Sequence, residues 1–209
     1  MKIGILGAGN VGGALGLSWT RAGHSVMFGV RNPASDELKA VLARSDGKAT
    51  AGSALQASQF GDVIVNALPW PATKETLAGL ELSGKIVLDC SNPLLPGLAG
   101  IEVGTTSSGG ELVAAWAAGA KVVKIFNTTG YGNMENPVYK GTALPMFYCS
   151  DHPEAKDIAA SLARDTGFQP VDAGPLSNSR LLEPHAMLWI WLAVKGGWGR
   201  DFAFQLARR

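Results

Sequence analysis

The sequence predicts an α/β fold with a doubly wound, mainly parallel sheet. Apolar runs of strand length alternate with segments of helical period nearly to the end of the chain, which is typical of strand-helix-strand crossover units. A glycine-rich turn follows the first apolar run and opens a segment of helical period. Of the 209 residues, 46% are hydrophobic and 17% are charged, which is enough apolar material for a sizeable core.

The expected elements follow the chain in alternation. Apolar runs predict strands at 2–6, 25–29, 49–51, 62–67, 85–89, 121–126, 144–149 and 169–172. Apolar residues at helical spacing predict helices at 11–22, 35–43, 54–60, 72–79, 111–118 and 153–165. Start signals support several of these helices, such as Ser35 ahead of Asp36 and Glu37.

The segment 175–209 differs from the alternating part of the chain. We therefore expect a sheet domain over 1–174 and a small C-terminal helical segment over 175–209. Apolar residues recur at helical spacing from Leu181 to Leu192, and a break at Gly196 and Gly197 follows. The segment can complete a ligand cleft, form the interface of a homodimer or pack into the core, and the sequence leaves these roles open.

Charge and cysteine usage exclude several classes of protein. Lys and Arg total 18 against 17 acidic residues, without a basic run, so nucleic acid is not an expected partner. Cys90 and Cys149 are too few for a disulfide framework and lack metal-ligand spacing, which predicts no metal site and a cytoplasmic location. The apolar stretch 186–194 is far shorter than the ~20 residues of a membrane-spanning helix, so no membrane association is expected.

The stretch GAGNVG matches the dinucleotide fingerprint through Gly7, Gly9 and Gly12. The first glycine allows a tight turn, the second admits a pyrophosphate and the third lets helix and strand pack closely. The motif alone is weak, but here it follows the first strand and opens a helix whose N-terminus would face a phosphate. This context predicts a Rossmann dinucleotide-binding fold.

Arg31 and Asn32 follow the second strand, where many such chains carry an acidic residue that binds the adenosine ribose. No acidic residue is present from 27 to 33, so nothing there repels a 2′-phosphate. Arg31 offers a permanent charge and a fork of donors suited to phosphate. The pattern favours NADP(H) over NAD(H), and the alternative is an ordinary solvated turn arginine.

In an open parallel sheet, ligands bind beyond the carboxyl ends of the strands. At that edge we expect the turn Leu68, Pro69 and Trp70, then Asn92, and then the stretch from Asn127 to Thr129. Trp70 offers a flat wall for a nicotinamide ring, although a core tryptophan at a helix start is an equal alternative. The long connections 91–110 and 127–143 both start at this edge, and loops of that length are usually functional.

The sequence offers no evident proton relay, and we predict no catalytic acid or base. His24 and His152 fall at element ends, His185 lies among apolar residues, and Lys124 lies inside a strand. Reduction of an alcohol or carbonyl needs a proton donor, whereas hydride exchange between two redox rings asks mainly for stacking and orientation.

The stretch DAGPLSNSRLLEP at 172–184 is the most specific motif. Together with GAGNVGGAL, FGVRNP, the LPW turn and VVKIFNTTG, it resembles the NADP oxidoreductases that depend on the deazaflavin coenzyme F420. A more distant resemblance is to the NADPH-binding domain of the STEAP metalloreductases. The resemblance covers nearly the whole chain and implies direct hydride transfer between NADP(H) and a deazaflavin stacked on the nicotinamide.

The resemblance also implies roles for individual residues. It makes Arg31 the ligand of the 2′-phosphate, Asn10 and Val11 contacts of the phosphate loop, and Pro69 with Trp70 the nicotinamide wall. Independently of the resemblance, the polar residues that we expect to face the acceptor are Asn127, Thr128, Thr129 and Ser177. Archaeal members of the family have a serine and a histidine where this chain has Val30 and Asn127, which weakens phosphate recognition and leaves the acceptor open.

Three functions remain in competition. The first is hydride transfer between NADP(H) and coenzyme F420, the second is NADPH-dependent flavin or ferric reduction, and the third is a non-catalytic NADPH sensor. If an acceptor binds, the two long loops should leave an open cleft beside the nicotinamide. In a sensor, side chains of these loops should fill that space.

Overall fold

The computed structural model describes residues 1–207 and 209 and confirms the α/β class with a C-terminal helix. Its strands are β1 (Lys2–Leu6), β2 (Ser25–Gly29), β3 (Ala49–Gly52), β4 (Val63–Asn66), β5 (Ile86–Asp89), β6 (Lys121–Ile125), β7 (Val138–Tyr139), β8 (Thr142–Ala143), β9 (Pro145–Cys149) and β10 (Gln169–Asp172). Its helices are α1 (Asn10–Arg21), α2 (Asp36–Ala43), α3 (Ala54–Phe60), α4 (Trp70–Ala78), α5 (Gly109–Trp116), α6 (Tyr131–Glu135), α7 (Pro153–Asp165) and α8 (Ser179–Val194).

The main sheet has the strand order β10-β9-β6-β5-β4-β1-β2-β3. Strands β1 to β6 are parallel, and the order reverses between β1 and β4, which is the topological switch point. Strand β9 is antiparallel to β6, with Cys149 opposite Lys124, and β10 is parallel to β9. The start of β9 therefore lies at the same edge as the carboxyl ends of β1 to β6, whereas the end of β10 lies at the opposite edge.

Helices cover both faces of the sheet. On one face α1 contacts α2, α6 and α7, and the Trp19 indole N–H donates to the Leu162 carbonyl across α1 and α7 at 3.0 Å. On the other face α5 contacts α4 and α8. Each face of the sheet has its own cluster of buried apolar residues. Successive residues of β1 point to opposite faces, so Ile5 packs into one cluster and Leu6 into the other.

The connection 127–143 has more structure than the sequence suggests. It contains α6 and the β7–β8 hairpin, whose turn places Lys140 at φ 49° and Gly141 at φ 80°. Positive φ at both central residues is typical of tight hairpins, although such short elements have no clear sequence signal. None of the described helices has the length and apolar character needed to cross a membrane.

Candidate active site

The glycine loop connects β1 to α1 as the fingerprint requires. Gly7 has φ 99°, and its N–H donates to the Gly29 carbonyl at 2.9 Å. A Cβ at Gly12 would collide with the Gly7 carbonyl oxygen, so the close approach of helix and strand requires glycine there. A Cβ at Gly9 would meet no protein atom within 4 Å. The fold itself therefore leaves space at Gly9, which suits the approach of a pyrophosphate.

The N-terminus of α1 is open for an anion. Gly9 is its N-cap and provides no side-chain cap, while Asn10 is exposed and Val11 half-buried in the first turn. Backbone N–H groups at such a helix end favour phosphate binding. A groove of about 360 Å³ runs past Gly9 and Asn10 and is bordered on its far side by Tyr131 of α6.

Arg31 lies in the bend after β2. Its side chain is exposed and forms no ion pair with any described residue. The neighbouring Asn32 accepts a hydrogen bond from the Ala34 N–H at 3.0 Å, which turns the chain towards Ser35, the N-cap of α2. The loop thus presents Arg31 with its donors available, while the Asn32 side chain is occupied in the turn.

The turn after β4 supports one of the two interpretations of Trp70. Trp70 begins α4, its ring lies 5.1 Å from that of Trp116, and its indole N–H donates to Glu102 at 2.7 Å. The ring therefore packs between α4 and α5, which favours the packing alternative for Trp70. Leu68 and Pro69 lie at the carboxyl edge of β4, half-buried and exposed respectively.

Asn92 and Asn127 form a pair across the ends of β5 and β6. The Asn92 amide donates to the Asn127 carbonyl, and the Asn127 amide donates to the Asn92 side-chain oxygen, both at 3.0 Å. These two bonds fix both amide orientations. They leave Asn127 Oδ1 buried without a hydrogen-bond partner among the described residues. Such an oxygen is an acceptor that a ligand N–H can satisfy.

A buried ionic cluster, formed by Lys124, Asp89 and Glu183, supports this edge. The Lys124 ammonium donates to Asp89 at 2.8 Å and to the Ser91 carbonyl at 2.6 Å, and it lies 2.9 Å from Glu183. Burial by itself lowers the pKa of Lys124, but Asp89 and Glu183 outweigh it and raise the pKa above the usual lysine value. Lys124 is therefore protonated and has three oxygen partners.

The cluster extends to the neighbouring elements. Asp89 Oδ1 also accepts from the Asn66 amide at 2.9 Å, and Asn66 Oδ1 accepts from the Leu68 N–H at 3.4 Å. Glu183 accepts from the N–H groups of Gly109 and Gly110 at the start of α5, both at 2.9 Å. One hydrogen-bond network thus joins the ends of β4, β5 and β6 to α5 and α8.

Sequence reasoning missed most of this network. The sequence places Lys124 inside a strand, but it does not show that Asp89 and Glu183 are its partners. In the structure Arg180 binds Glu111 at 2.6 and 2.9 Å, and Glu183 turns inward to Lys124. The only available signal was the presence of charged residues within apolar segments, which does not show their partners.

The predicted acceptor residues separate into two places. Thr128 and Thr129 follow Asn127 and face Phe147, His185 and Phe204, with a gap of only about 10 Å³ between them. Burial lowers the pKa of His185, which packs between the two phenylalanine rings. Ser177 is exposed in the turn after β10, towards the opposite edge of the sheet. The structure does not bring Ser177 together with the threonines.

A cavity of about 610 Å³ is lined by residues of the loop 127–143, beginning at Gly130, and by residues of the C-terminal segment. Its lining includes the aromatic rings of Tyr131, Tyr139 and Trp189, together with Asn133, and its mouth carries Lys140, Arg200 and Asp201. Tyr131 belongs to both this aromatic cavity and the groove beside the glycine loop. Tyr131 therefore connects the cavity with the groove beside the glycine loop, and the loop 127–143 supplies most of the cavity wall.

The C-terminal segment closes one side of the aromatic cavity. The Phe202 carbonyl accepts from the Asn133 amide and the Trp189 indole, both at 3.0 Å. The Phe202 ring stacks on Trp189 at a centroid distance of 5.1 Å and an interplanar angle of 16°. Gly130 is required beside Trp189, because a Cβ there would collide with the indole ring.

Across the described residues, no three His, Cys, Asp or Glu side chains form a group that could hold a metal ion. Cys90 and Cys149 are free buried thiols, and burial raises the pKa of both, that of Cys149 to about 11.

Several known proteins are similar to this chain. Residues 2–93 match the family model described as NADP oxidoreductase coenzyme F420-dependent. A proposed F420-dependent NADP-reductase from Arthrobacter sp. FB24 is 27% identical, with full coverage of both chains and a TM-score of 0.85. A hypothetical protein from Sinorhizobium meliloti is 29% identical over 88% of this chain and 89% of its own, with a TM-score of 0.78.

Among curated proteins, the chain is 30% identical over 194 residues to the metalloreductase STEAP3 of Rattus norvegicus. This match covers 91% of the chain and 38% of the metalloreductase, so the chain spans less than half the length of this relative. The matches confirm the resemblance seen in the motifs. They show that the chain is similar to NADP oxidoreductases that depend on coenzyme F420 and, over part of its length, to a metalloreductase.

Proposed function

We propose that the protein transfers a hydride directly between NADP(H) and a deazaflavin of the coenzyme F420 type. The observation that carries this proposal is the aromatic cavity of about 610 Å³, which shares Tyr131 with the groove of the glycine loop. A pocket of this volume with aromatic walls suits a planar polycyclic ring. Two redox rings can then lie side by side at one edge of the sheet.

The residues at the edge fit NADP(H). The open space at Gly9 and the N-terminal amides of α1 suit the pyrophosphate, and the exposed Arg31 suits the 2′-phosphate. The nicotinamide would then extend towards Leu68, Pro69 and the Asn92–Asn127 pair. Asn127 Oδ1 would accept an N–H from the ring above it, either the nicotinamide carboxamide or an N–H of the acceptor.

The chain contributes orientation and little proton chemistry. The bound cofactor pair supplies the hydride and its acceptor, and the reduced ring exchanges its proton with solvent. Tyr131, Tyr139, Trp189 and the C-terminal segment would wall the acceptor and exclude water from the space between the rings. The buried ionic cluster is paired internally and is not available as a proton relay.

A flavin is the second candidate acceptor. The aromatic walls do not distinguish a flavin ring from a deazaflavin ring, and the similarity to a metalloreductase supports ferric reduction as a further alternative. A non-catalytic sensor is disfavoured, because a sensor needs no open space beyond Thr129, whereas the loop 127–143 leaves a large cavity there.

We also propose that the protein forms a homodimer. Helix α8 and the residues after it present five large apolar side chains to solvent: Leu181, Leu188, Trp191, Val194 and Trp198. An exposed apolar surface of this kind is typical of an association interface. Analytical ultracentrifugation of the purified chain tests this, and a monomer at micromolar concentration would contradict it.

A reducing compartment suits the two free thiols, and we propose a cytoplasmic location. Fluorescence microscopy of a tagged chain in its host cell tests this, and signal outside the cytoplasm contradicts it.

The test of function is anaerobic oxidation of NADPH by the purified protein with coenzyme F420, FMN or FAD as acceptor. Turnover with the deazaflavin alone supports the proposal, and turnover with FMN or FAD alone moves the assignment to the flavin. Tight NADPH binding without turnover with any of the three contradicts both assignments. The Gly9→Val variant is the matched control, because it should remove the activity while leaving the aromatic cavity intact.

A further inference from the structure

The buried ionic cluster carries a net negative charge. All four carboxylate oxygens of Asp89 and Glu183 accept hydrogen bonds, and the donors belong to Asn66, Ser91, Lys124, Gly109 and Gly110. Because no oxygen is left to hold a proton, both carboxyl groups are ionised. Two carboxylates and the single ammonium of Lys124 give a formal charge of −1, in side chains that are at most 1% exposed.

We propose that this negative charge makes bound NADPH a stronger hydride donor, because it stabilises the cationic ring of NADP⁺ more than the neutral ring of NADPH. The hydride, one proton with two electrons, leaves the nicotinamide for the acceptor ring, and the nicotinamide gains one positive charge. The inference rests on the proposed function only for the position of the nicotinamide. It adds the direction that the site favours, from NADPH to the acceptor.

The cluster lies close to the place proposed for the nicotinamide, between Leu68 and the Asn92–Asn127 pair. Asp89 precedes Asn92 by three residues, which span about 11 Å at most. Asp89 also accepts from the Asn66 amide, and the Asn66 side-chain oxygen accepts from the Leu68 N–H. The Asp89 carboxylate is thus linked to both sides of the proposed ring site, and a charge at this distance inside the protein acts on the ring.

The Cys90 thiol shows the sign of the charge at the end of β5. Burial is the main cause that raises the pKa of this thiol. Asp89 raises the pKa further, and Lys124 lowers it by a smaller amount, so the negative partner dominates at Cys90. Cys90 lies on the chain between Asp89 and Asn92. The same field would stabilise a cation beside Asn92.

The N-terminus of α5 offsets part of this charge. Glu183 accepts from the first two N–H groups of that helix, and a helix N-terminus is equivalent to about half a positive charge. The sum therefore remains negative. Asn127 Oδ1 acts in the same sense as the cluster, because it is the negative end of an amide and has no hydrogen-bond partner among the described residues.

The experiment measures the Kd of NADP⁺ and the Kd of NADPH for the native protein and for Glu183→Gln. The substitution removes one negative charge, nearly preserves the shape of the side chain and leaves Lys124 paired with Asp89. We expect the ratio of the NADP⁺ Kd to the NADPH Kd to rise about 10-fold, as for one charge about 10 Å from the ring at an effective dielectric constant of about 20. The reduction potential of the bound couple would then rise by about 30 mV, the two-electron equivalent of a tenfold ratio. A purely structural role of Glu183 would weaken both forms alike and leave the ratio unchanged.

Glu154→Gln is the matched control, because it removes the same charge at the surface, where Glu154 pairs with Lys121 at the start of β6. Its ratio should stay within about twofold of the native value. If circular dichroism shows that Glu183→Gln does not fold, Asp89→Asn removes the other negative charge and should shift the ratio in the same direction. An unchanged or lower ratio in a folded variant of the cluster, or an equal shift in Glu154→Gln, would overturn the inference and leave the proposed function standing. Failure of the native protein to bind either nucleotide would refute the proposed function, and the inference with it.

Discussion

The two halves of the proposed site are built by different means. In the half proposed for the adenosine, at β1 to β3, the candidate contacts come from a local backbone turn and one exposed side chain, Arg31. In the acceptor half, at β4 to β6 and α8, they come from residues far apart in sequence, such as Lys124 with Glu183 and Asn133 with Phe202. The first half is thus specified by short motifs, whereas the second depends on the correct docking of the C-terminal helix.

The largest expected effect falls on the acceptor half. Lys124→Met leaves Asp89 and Glu183 buried without their cation, and we expect the free energy of unfolding to fall by about 3–5 kcal/mol. The contribution of the lysine is fully present below its ordinary pKa of 10.5 and is lost only as the pH rises through its raised native value. Urea denaturation at neutral pH measures the loss.

Lys121→Met is the control on the same strand. Lys121 pairs with Glu154 at 2.9 Å on the surface, so its replacement should cost about 1 kcal/mol or less. Equal losses for the two variants would mean that the buried ionic cluster does not hold the acceptor half together.

The second-largest effect is expected at the glycine loop of the adenosine half. We expect Gly9→Val to weaken the binding of both NADPH and NADH by about 100-fold or more, because the new side chain fills the pyrophosphate path. Stability should be nearly unchanged, because the Cβ meets no protein atom within 4 Å. Fluorescence titration and thermal unfolding separate the two quantities. Gly12→Val is the contrasting variant and should unfold, since its Cβ collides with the Gly7 carbonyl.

Arg31→Ala tests the proposed contact between the adenosine half and the 2′-phosphate. We expect NADPH binding to weaken by about 10- to 100-fold through the loss of charge-assisted hydrogen bonds to the 2′-phosphate. NADH binding should change by about twofold or less, since NADH lacks that phosphate. Titration with both nucleotides measures the ratio, and equal losses would refute the phosphate assignment.

Gly130→Ala tests the acceptor half without touching its charges. The added methyl group collides with the Trp189 ring and narrows the aromatic cavity. We expect the KM for the acceptor to rise about 5- to 10-fold, the cost of roughly 1–1.4 kcal/mol, with an unchanged NADPH Kd. Gly132→Ala is a close control on the same wall, because its Cβ meets nothing within 4 Å. Identical kinetics for the two variants would place the acceptor elsewhere.

The smallest effect is expected at Trp70. Because its ring packs on Trp116 and its N–H binds Glu102, Trp70→Phe should cost about 1 kcal/mol of stability from the lost hydrogen bond. Hydride-transfer kinetics should stay within about twofold, since Trp70 is not expected to contact a ring. A large loss of kcat with normal stability would instead support the prediction that Trp70 contacts the nicotinamide ring.

Much of the fold could be predicted from the sequence. Strands and helices of the crossover units carry strong periodic signals, and the fingerprint located the glycine loop correctly. The antiparallel direction of β9 and the elements α6, β7 and β8 carry no such signal, because short hairpins depend on tertiary packing. The same dependence on packing accounts for the positions of Trp70 and Ser177. A motif shows which residues occur together in sequence, whereas packing decides which side chains face the cleft.

The buried ionic cluster has a consequence for the order of folding. Lys124 belongs to the central sheet, but one of its two carboxylate partners lies on α8, near the end of the described chain. Until α8 docks, the ammonium at the middle of the sheet has only Asp89 as a counter-ion and retains water. We expect the centre of the sheet to be among the last parts of the core from which water is excluded. Its amide protons should gain protection from hydrogen exchange at the same time as those of α8.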